Sequence, residues 1–317
     1  MNDLPEVAHD HPALPEAPSF WNTHCSKCGG ITCFADDSSL SMSNKDPQVL
    51  NQEIKDKYKE ISAYMASNRL VLNSDKTHLL VMASERNHKS HGNFGVILDT
   101  GTETILPQNH EKMLGCSISS NFSWNHHLRD DEYSLNRQLT SRINALRKIS
   151  YSASFATRKM IANGIVLSRI IYVIQIWGGT HDYLLKMLQI LQNKAARFVT
   201  NLDIFTSQAK LLQQCGWLSV KQLVDYHSLT LIFKCKKEQK PVFLFKTLSQ
   251  EFIYRMRAAT TGSIVFNHAI SSDIAKSAFI ARSTQLWNSL PPQIKQADSL
   301  QKFKGMLKPW IKQNVAQ

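Results

Sequence analysis

Two adjacent carboxylates near the front of the chain are the residues best suited to chemistry. Asp36 and Asp37 lie between two β-prone runs, residues 31–34 and 38–42, and this pattern predicts a hairpin with both acids at an exposed turn. Carboxylates held this close repel each other, so one tends to protonate unless a cation shares them. Mg²⁺ binds through one or two carboxylates together with the phosphate oxygens of a substrate. The pair therefore predicts a Mg²⁺ site, with an ordinary polar turn as the alternative.

A Cys-x-x-Cys pair, Cys25 and Cys28, lies just before the predicted hairpin. A structural zinc site takes four ligands, and His24 and Cys33 are the candidates that could complete one. We interpret the pair as part of a turn into the hairpin, and a zinc module is the alternative. The six cysteines of the chain lack the spacing of a secreted disulfide scaffold, which predicts reduced thiols.

Positive charge is concentrated in the second half of the chain. Residues 1–150 hold 15 Lys/Arg against 18 Asp/Glu, residues 151–317 hold 22 against 7, and the whole chain carries +12. Such a basic half indicates a polyanionic partner, with nucleic acid ahead of a membrane surface; a solvated basic face is the alternative. The residues expected to contact phosphates flank apolar stripes of predicted helices. They are Arg137, Arg142, Arg147, Lys148, Lys194 and Arg197.

The elements that must position these residues change character along the chain. At the front, Asp46 and Pro47 predict the start of a helix that reaches about residue 69. A polar loop ending at Lys76 leads into a predicted strand, and more strands follow. The predicted strands cover residues 77–82, 94–98, 102–106 and 112–118. From residue 130 onward the apolar spacing predicts helices. The main ones cover residues 135–148, 158–177, 183–199, 206–214, 219–235, 278–290 and 300–310.

The sequence gives no indication of a membrane protein or a secreted one. Its most hydrophobic stretch, residues 165–177, is too short to span a bilayer. The N-terminus is acidic and proline-rich and lacks the apolar core of a signal peptide. We expect an intracellular protein of the cytoplasm and nucleus with no membrane partner.

The order of these segments resembles the reverse transcriptase of non-LTR retrotransposons, of the jockey and chicken-repeat type. Residues 33–39, Cys-Phe-Ala-Asp-Asp-Ser-Ser, resemble the family's Phe/Tyr-Ala-Asp-Asp motif, and residues 68–77 resemble the motif that follows it. Residues 114–124 resemble the primer-grip region. Other similar stretches are residues 1–5, before the hairpin, and residues 172–178, 191–197 and 286–291, downstream of the polymerase.

The resemblance implies an α+β fold and RNA-directed DNA synthesis. It implies a proline-rich arm at residues 1–24, a partial polymerase palm at 25–128, a helical thumb at 129–200 and a basic helical C-terminal extension at 201–317. Asp36 and Asp37 would hold Mg²⁺ (or Mn²⁺), and Lys76 would act near the departing pyrophosphate. Leu114, Gly115 and Cys116 would form the primer grip. The partners would be an RNA template, a DNA primer and deoxynucleotide triphosphates, and the basic helices would contact the backbone of the template–primer.

The same resemblance implies a third metal-binding aspartate on an earlier palm strand. That strand would precede Met1, so we expect a truncated reverse transcriptase that is weak or inactive alone. The alternative is a catalytically dead nucleic-acid-binding or scaffolding remnant. Incomplete palm strands are also expected to leave uncovered apolar surface.

Overall fold

A computed structural model describes residues 22–25, 29–35, 37–91, 94–100, 103–148, 153–249, 264 and 273–314. The chain divides into a front unit, Met1–Ser123, and a helical unit, Trp124–Gln317. The front unit mixes short strands with helices and the second unit is helical, so the expected α+β class is confirmed. Asp36 and Cys28 lie outside the described residues, as does most of the predicted N-terminal arm.

The predicted hairpin is present in the front unit. Strands β1 (Asn22–Cys25), β2 (Gly29–Phe34) and β3 (Asp37–Ser41) form an antiparallel sheet in that order. Helix α1 (Pro47–Ser67) follows, and its N-cap is Asp46, whose Oδ1 accepts from the Gln48 N–H at 2.8 Å, as predicted. Sheet and helix bury a small apolar cluster of Ile31, Ile61 and Met65.

The rest of the front unit is built from short elements. A 3₁₀ turn (Ser74–Lys76), β4 (Leu79–Leu80) and helix α2 (Glu85–His91) come first. Strands β5 (Leu98–Asp99) and β6 (Thr104–Ile105) pair antiparallel, and β7 (Pro107–Gln108) pairs parallel with β4. Strands β8 (His110–Met113) and β9 (Cys116–Ser119) form a hairpin.

The four strands predicted between residues 77 and 118 are all wrong in extent. Those expected at residues 94–98 and 102–106 are reduced to Leu98–Asp99 and Thr104–Ile105. The strand expected at residues 77–82 is reduced to Leu79–Leu80. The single strand expected at 112–118 is a hairpin, because Leu114 and Gly115 adopt φ of 49° and 78°, which turns the chain. The unit also leaves apolar side chains uncovered, as expected. Phe34 is 64% exposed, Leu106 65% and Val71 94%.

The described part of the helical unit contains twelve α-helices. Eleven of them contribute to one apolar core or border it, and the twelfth is short and exposed. They are α3 (Leu135–Arg147), α4 (Phe155–Ala162), α5 (Ser168–Ile171), α6 (Ile174–Trp177), α7 (Asp182–Thr200), α8 (Gln208–Cys215), α9 (Val220–Glu238), α10 (Val242–Ser249), α11 (Asp273–Ser277, the exposed one), α12 (Phe279–Asn288), α13 (Pro292–Lys295) and α14 (Leu300–Asn314).

The long helix predicted at residues 158–177 is broken into pieces. A π-helical segment (Asn163–Leu167) lies between α4 and α5, and Val173 adopts a left-handed conformation with φ of 45° before α6. Trp177 compensates for part of this break, because its indole Nε1–H donates to the Tyr172 carbonyl at 3.0 Å. Periodicity alone could not predict the break, since apolar residues continue through it.

Helix α9 lies at the centre of the core. Its Phe233 ring stacks on Phe303 of α14, with ring centroids 4.2 Å apart, and Phe303 also lies beside Trp287 of α12. The core includes buried residues from Leu128 to Ile311. The segments expected as thumb and C-terminal extension therefore share one core.

Candidate functional site

The hairpin holds Asp37 at an exposed position beside its turn. Phe34 pairs with Asp37 across the two strands, and Ala35, the first of the two residues between them, has a φ of 54°. A positive φ is what a two-residue hairpin turn requires at this position. Side chains of β3 reinforce the pairing, since Ser41 Oγ donates to the Gly30 carbonyl at 3.1 Å. The local sequence therefore fixes where Asp37 lies, while Asp36 is outside the described residues.

Lys76 is the other residue predicted to act in catalysis. It is exposed at the end of the 3₁₀ turn, and its backbone N–H donates to the Asn73 carbonyl at 3.2 Å. Within the described residues, no hydrogen bond or ion pair joins Lys76 to Asp37. Its predicted action on a leaving group stays a prediction.

The predicted primer-grip residues occupy the turn of the β8–β9 hairpin. Leu114 is 42% exposed, and Gly115 completes the turn. Cys116 is buried, and burial raises the pKa of its thiol to about 11. A thiol of this kind is protonated at neutral pH and unreactive, and the role of Cys116 in a primer grip stays a prediction.

The described carboxylate at the hairpin suits Mg²⁺ in type. A carboxylate oxygen such as that of Asp37 is the hard ligand that Mg²⁺ prefers. Within the described part of the chain, however, no three Asp, Glu, His or Cys side chains lie close enough to hold one ion. Because Asp36 is outside the described residues, the described donors alone do not define a two-metal site. The zinc alternative stays a prediction. Of its candidate ligands, Cys28 is not described, and Cys33 is a free cysteine.

The basic residues predicted on α3 do not form one surface. Leu135, Leu139, Ile143 and Leu146 are buried as predicted. Arg137 and Lys148 are exposed, and their spacing of eleven residues puts them on the same side of the helix. Arg142 lies on another side, half-buried, and its Nη1 donates to the Ile165 carbonyl at 3.2 Å. Burial and the nearby charge of Arg169 lower the pKa of Arg142. Arg147 is exposed at the helix end.

The two basic residues predicted on α7 differ in their surroundings. Lys194 is exposed. Arg197 is half-buried and supports the following loop, since its Nε donates to the Asp203 carbonyl at 3.3 Å and its Nη2 to the Ile204 carbonyl at 3.1 Å. Lys194 is therefore the better placed of the two for a phosphate, while Arg197 orders the loop.

The sequence reasoning left out two exposed apolar residues near Lys194. Ile190 is exposed on the same side of α7 as Lys186 and Lys194, and Phe205 follows in the loop, 89% exposed. The signal that could have found Ile190 is its spacing of four residues from both lysines, outside the buried stripe.

Comparison of the chain with protein families, with curated proteins and with solved structures finds no match. Across the described ranges, no helix is both long and apolar enough to cross a membrane.

Proposed function

We propose that the helical unit binds the polynucleotide backbone of an RNA template and DNA primer, as part of a reverse transcriptase of the non-LTR retrotransposon type. The observation that carries this proposal is the charge of Trp124–Gln317, which holds 27 Lys/Arg against 10 Asp/Glu, a balance of +17. The front unit holds 10 against 15, a balance of −5. A helical core that presents exposed cations such as Arg137, Lys148 and Lys194 suits contacts with phosphates that are independent of sequence.

The hairpin supports a part in nucleotidyl transfer, because its exposed tip carries Asp37. A second candidate function is a nucleic-acid-binding or scaffolding remnant whose acid pair no longer catalyses, and the positive charge of the helical unit supports it as well.

Filter binding of an RNA–DNA template–primer across a salt series tests the proposed function. The logarithm of the affinity should fall linearly with the logarithm of the salt concentration, with a slope of about −0.9 per phosphate contacted in a B-form duplex. Arg137→Gln with Lys148→Gln should make that slope shallower by about 1 to 2. Lys59→Gln, an exposed lysine on α1 of the acidic front unit, is the matched control and should not change it. A slope near zero would refute polynucleotide binding.

Primer extension on a homopolymer RNA template with Mg²⁺ or Mn²⁺ separates the two candidates. Incorporation that Asp36→Ala and Asp37→Ala both abolish would establish the polymerase and exclude the remnant. Salt-dependent binding without incorporation would support the remnant.

A further inference from the structure

One side of α7 carries a continuous row of exposed side chains. The opposite side is buried in the core through residues such as Leu184, Leu188 and Leu191. The exposed positions recur at intervals of three and four residues, so they lie on one line along the helix. We call this row the α7 stripe; it consists of the exposed Tyr183, Lys186, Ile190 and Lys194 and ends at the half-buried Arg197.

The first residue of the α7 stripe is an aromatic ring held in place by its neighbours. Tyr183 is 46% exposed and its hydroxyl donates to Asn125 Oδ1. The Arg129 guanidinium lies over the ring at 5.6 Å from its centroid, and His181 stacks with the ring at an interplanar angle of 15°. The stripe therefore begins at a fixed aromatic group.

An ordered loop follows the other end of the stripe. Asn201 ends α7 in a left-handed conformation, and its N–H donates to the Arg197 carbonyl at 2.8 Å. Asp203 Oδ1 accepts from the Phe205 N–H at 2.9 Å and from Thr206 Oγ1 at 3.1 Å. Together with the two hydrogen bonds from Arg197 to the carbonyls of Asp203 and Ile204, these contacts fix the backbone of the loop.

This ordered loop presents apolar side chains to solvent. Ile204 is 74% exposed and Phe205 is 89% exposed. A single exposed apolar side chain is common on protein surfaces. Here, however, the loop is held by side-chain and backbone hydrogen bonds, so a partner that covers Phe205 does not have to order it first, which favours binding.

The charge beside these apolar groups indicates the chemistry of the partner. Lys186, Lys194 and Lys210 are exposed on α7 and at the start of α8. The carboxylate of Asp203 is already engaged within the loop. A second copy of the chain placed on this surface would bring lysines against lysines, which is unfavourable. A polyanion with flat apolar groups matches both features.

We propose that single-stranded RNA binds along the α7 stripe, with its phosphates on Lys186 and Lys194 and an unpaired base stacked on Phe205. This inference rests on the proposed function, which supplies the RNA template as the strand. From Tyr183 to Arg197 the helix rises about 21 Å, which corresponds to about six stacked nucleotides at about 3.4 Å each. A duplex fits less well, because its paired bases do not offer their faces to Phe205. Stacking on Phe205 is independent of base identity, since its ring has no hydrogen-bonding group.

Fluorescence anisotropy with a labelled oligouridine of about 12 nucleotides tests the proposal on the full chain. Phe205→Ala should weaken binding between about 5-fold and about 150-fold, the range expected for the loss of one stacked base. Phe205→Tyr should restore it, because the ring is kept. Phe243→Ala is the matched control, since Phe243 is an exposed phenylalanine of the same unit, on α10, and should bind like the unmodified chain.

The lysines of the stripe have their own readout in the same assay. Lys186→Gln with Lys194→Gln should make the salt slope for oligouridine shallower by about 1.4, since each phosphate contact on a single strand contributes about 0.7.

Two results would overturn the proposal. They are unchanged oligouridine affinity in Phe205→Ala, and tighter binding of oligothymidine than of oligouridine. If Arg137→Gln with Lys148→Gln still weakens template–primer binding while Phe205→Ala has no effect on oligouridine, the α7 site fails and the proposed function stands. If the chain binds no polynucleotide, both fail.

Discussion

Two titratable side chains on α9 are expected to give opposite pH dependences to the stability of the helical unit. Burial raises the pKa of Asp225 from 3.8 to about 6, against the attraction of Arg282 and Lys221. Burial lowers the pKa of His227 from 6.5 to about 4, and the charge of Lys304 adds to this effect. Each side chain is therefore neutral in the folded chain over a pH range in which it is charged in the unfolded chain.

The two contributions are similar in size and opposite in sign. The stability contributed by His227 is fully present above pH 6.5 and is lost as the pH falls towards 4. The stability contributed by Asp225 is fully present below pH 3.8 and is lost as the pH rises towards 6. One pKa unit corresponds to about 1.4 kcal/mol, so each contribution is on the order of 3 kcal/mol. In the unmodified chain they largely cancel.

Replacing one of the two side chains should make the pH dependence contributed by the other measurable. His227→Gln removes the contribution that is lost at low pH, so its free energy of unfolding should rise relative to the unmodified chain by about 3 kcal/mol as the pH falls from above 6.5 to about 4. The free energy of unfolding of Asp225→Asn should fall relative to the unmodified chain as the pH falls over the same range. Below about pH 6 Asp225 is already neutral in the folded chain, so the substitution removes no charge from beside Arg282 in that range.

Urea denaturation at a series of pH values, followed by tryptophan fluorescence, measures these differences. The signal reports on the helical unit, which holds five of the six tryptophans, Trp124, Trp177, Trp217, Trp287 and Trp310. For the variant that carries both His227→Gln and Asp225→Asn, the free energy of unfolding should change with pH in parallel with that of the unmodified chain. If His227→Gln alone already gives a parallel profile, His227 is not held neutral by burial and the reasoning is refuted.

Three further substitutions test the packing of the helical unit by urea denaturation. Gly179→Ala should destabilise the unit by several kcal/mol or prevent folding, because its Cβ would overlap the carbonyl of Ser277; normal stability would contradict this contact. Phe303→Ala should cost about 3–5 kcal/mol, since the ring is fully buried and stacks on Phe233, and a loss below about 1 kcal/mol would count against that stacking. Ser219→Ala should cost about 1 kcal/mol, because Ser219 forms the capping box of α9, and no loss would mean that water replaces the cap.

Periodic patterns predicted the long helices, whereas the short helices α2 (Glu85–His91) and α10 (Val242–Ser249) were not predicted. The stripe of Leu135, Leu139, Ile143 and Leu146 predicted α3, and the N-cap of α1 was read directly from Asp46 and Pro47. The break at Val173 and the hairpin turn at Leu114 were missed, because both residues adopt a left-handed conformation that their types disfavour. Packing with the rest of each unit overrides that local preference. The types of the neighbouring residues in the sequence do not indicate which contacts this packing makes.

The candidate site was predictable in its residue types but not in its geometry. The hairpin that carries Asp37 follows from alternation and a short turn. Whether a basic side chain is available to a phosphate does not follow from its type. Arg142 and Arg197 look like Lys194 in the sequence, yet both donate hydrogen bonds to backbone carbonyls, and only the fold distinguishes a cation that supports the structure from one that faces solvent.

The position of Asp37 depends on a very small core, and this dependence can be tested. Within the described residues of the front unit, the hairpin is held against α1 by an apolar cluster of Ile31, Ile61 and Met65, and Ile31 is only 2% exposed. Ile31→Ala should remove about 2–5 kcal/mol of packing energy, enough to let the hairpin open locally. Amide hydrogen exchange in Gly29–Phe34 should therefore become faster. Val71→Ala is the control, because Val71 is 94% exposed and its loss should leave that exchange unchanged.

Unchanged exchange in Ile31→Ala would mean that the hairpin is stabilised without this cluster. Faster exchange together with a loss of any primer extension would instead connect the cluster to the chemistry. A carboxylate shares a metal ion with a substrate phosphate more favourably when its position is fixed before the ion binds, because ordering it afterwards costs binding energy. The front unit would then depend on Ile31 for the geometry of Asp37 as much as for its fold.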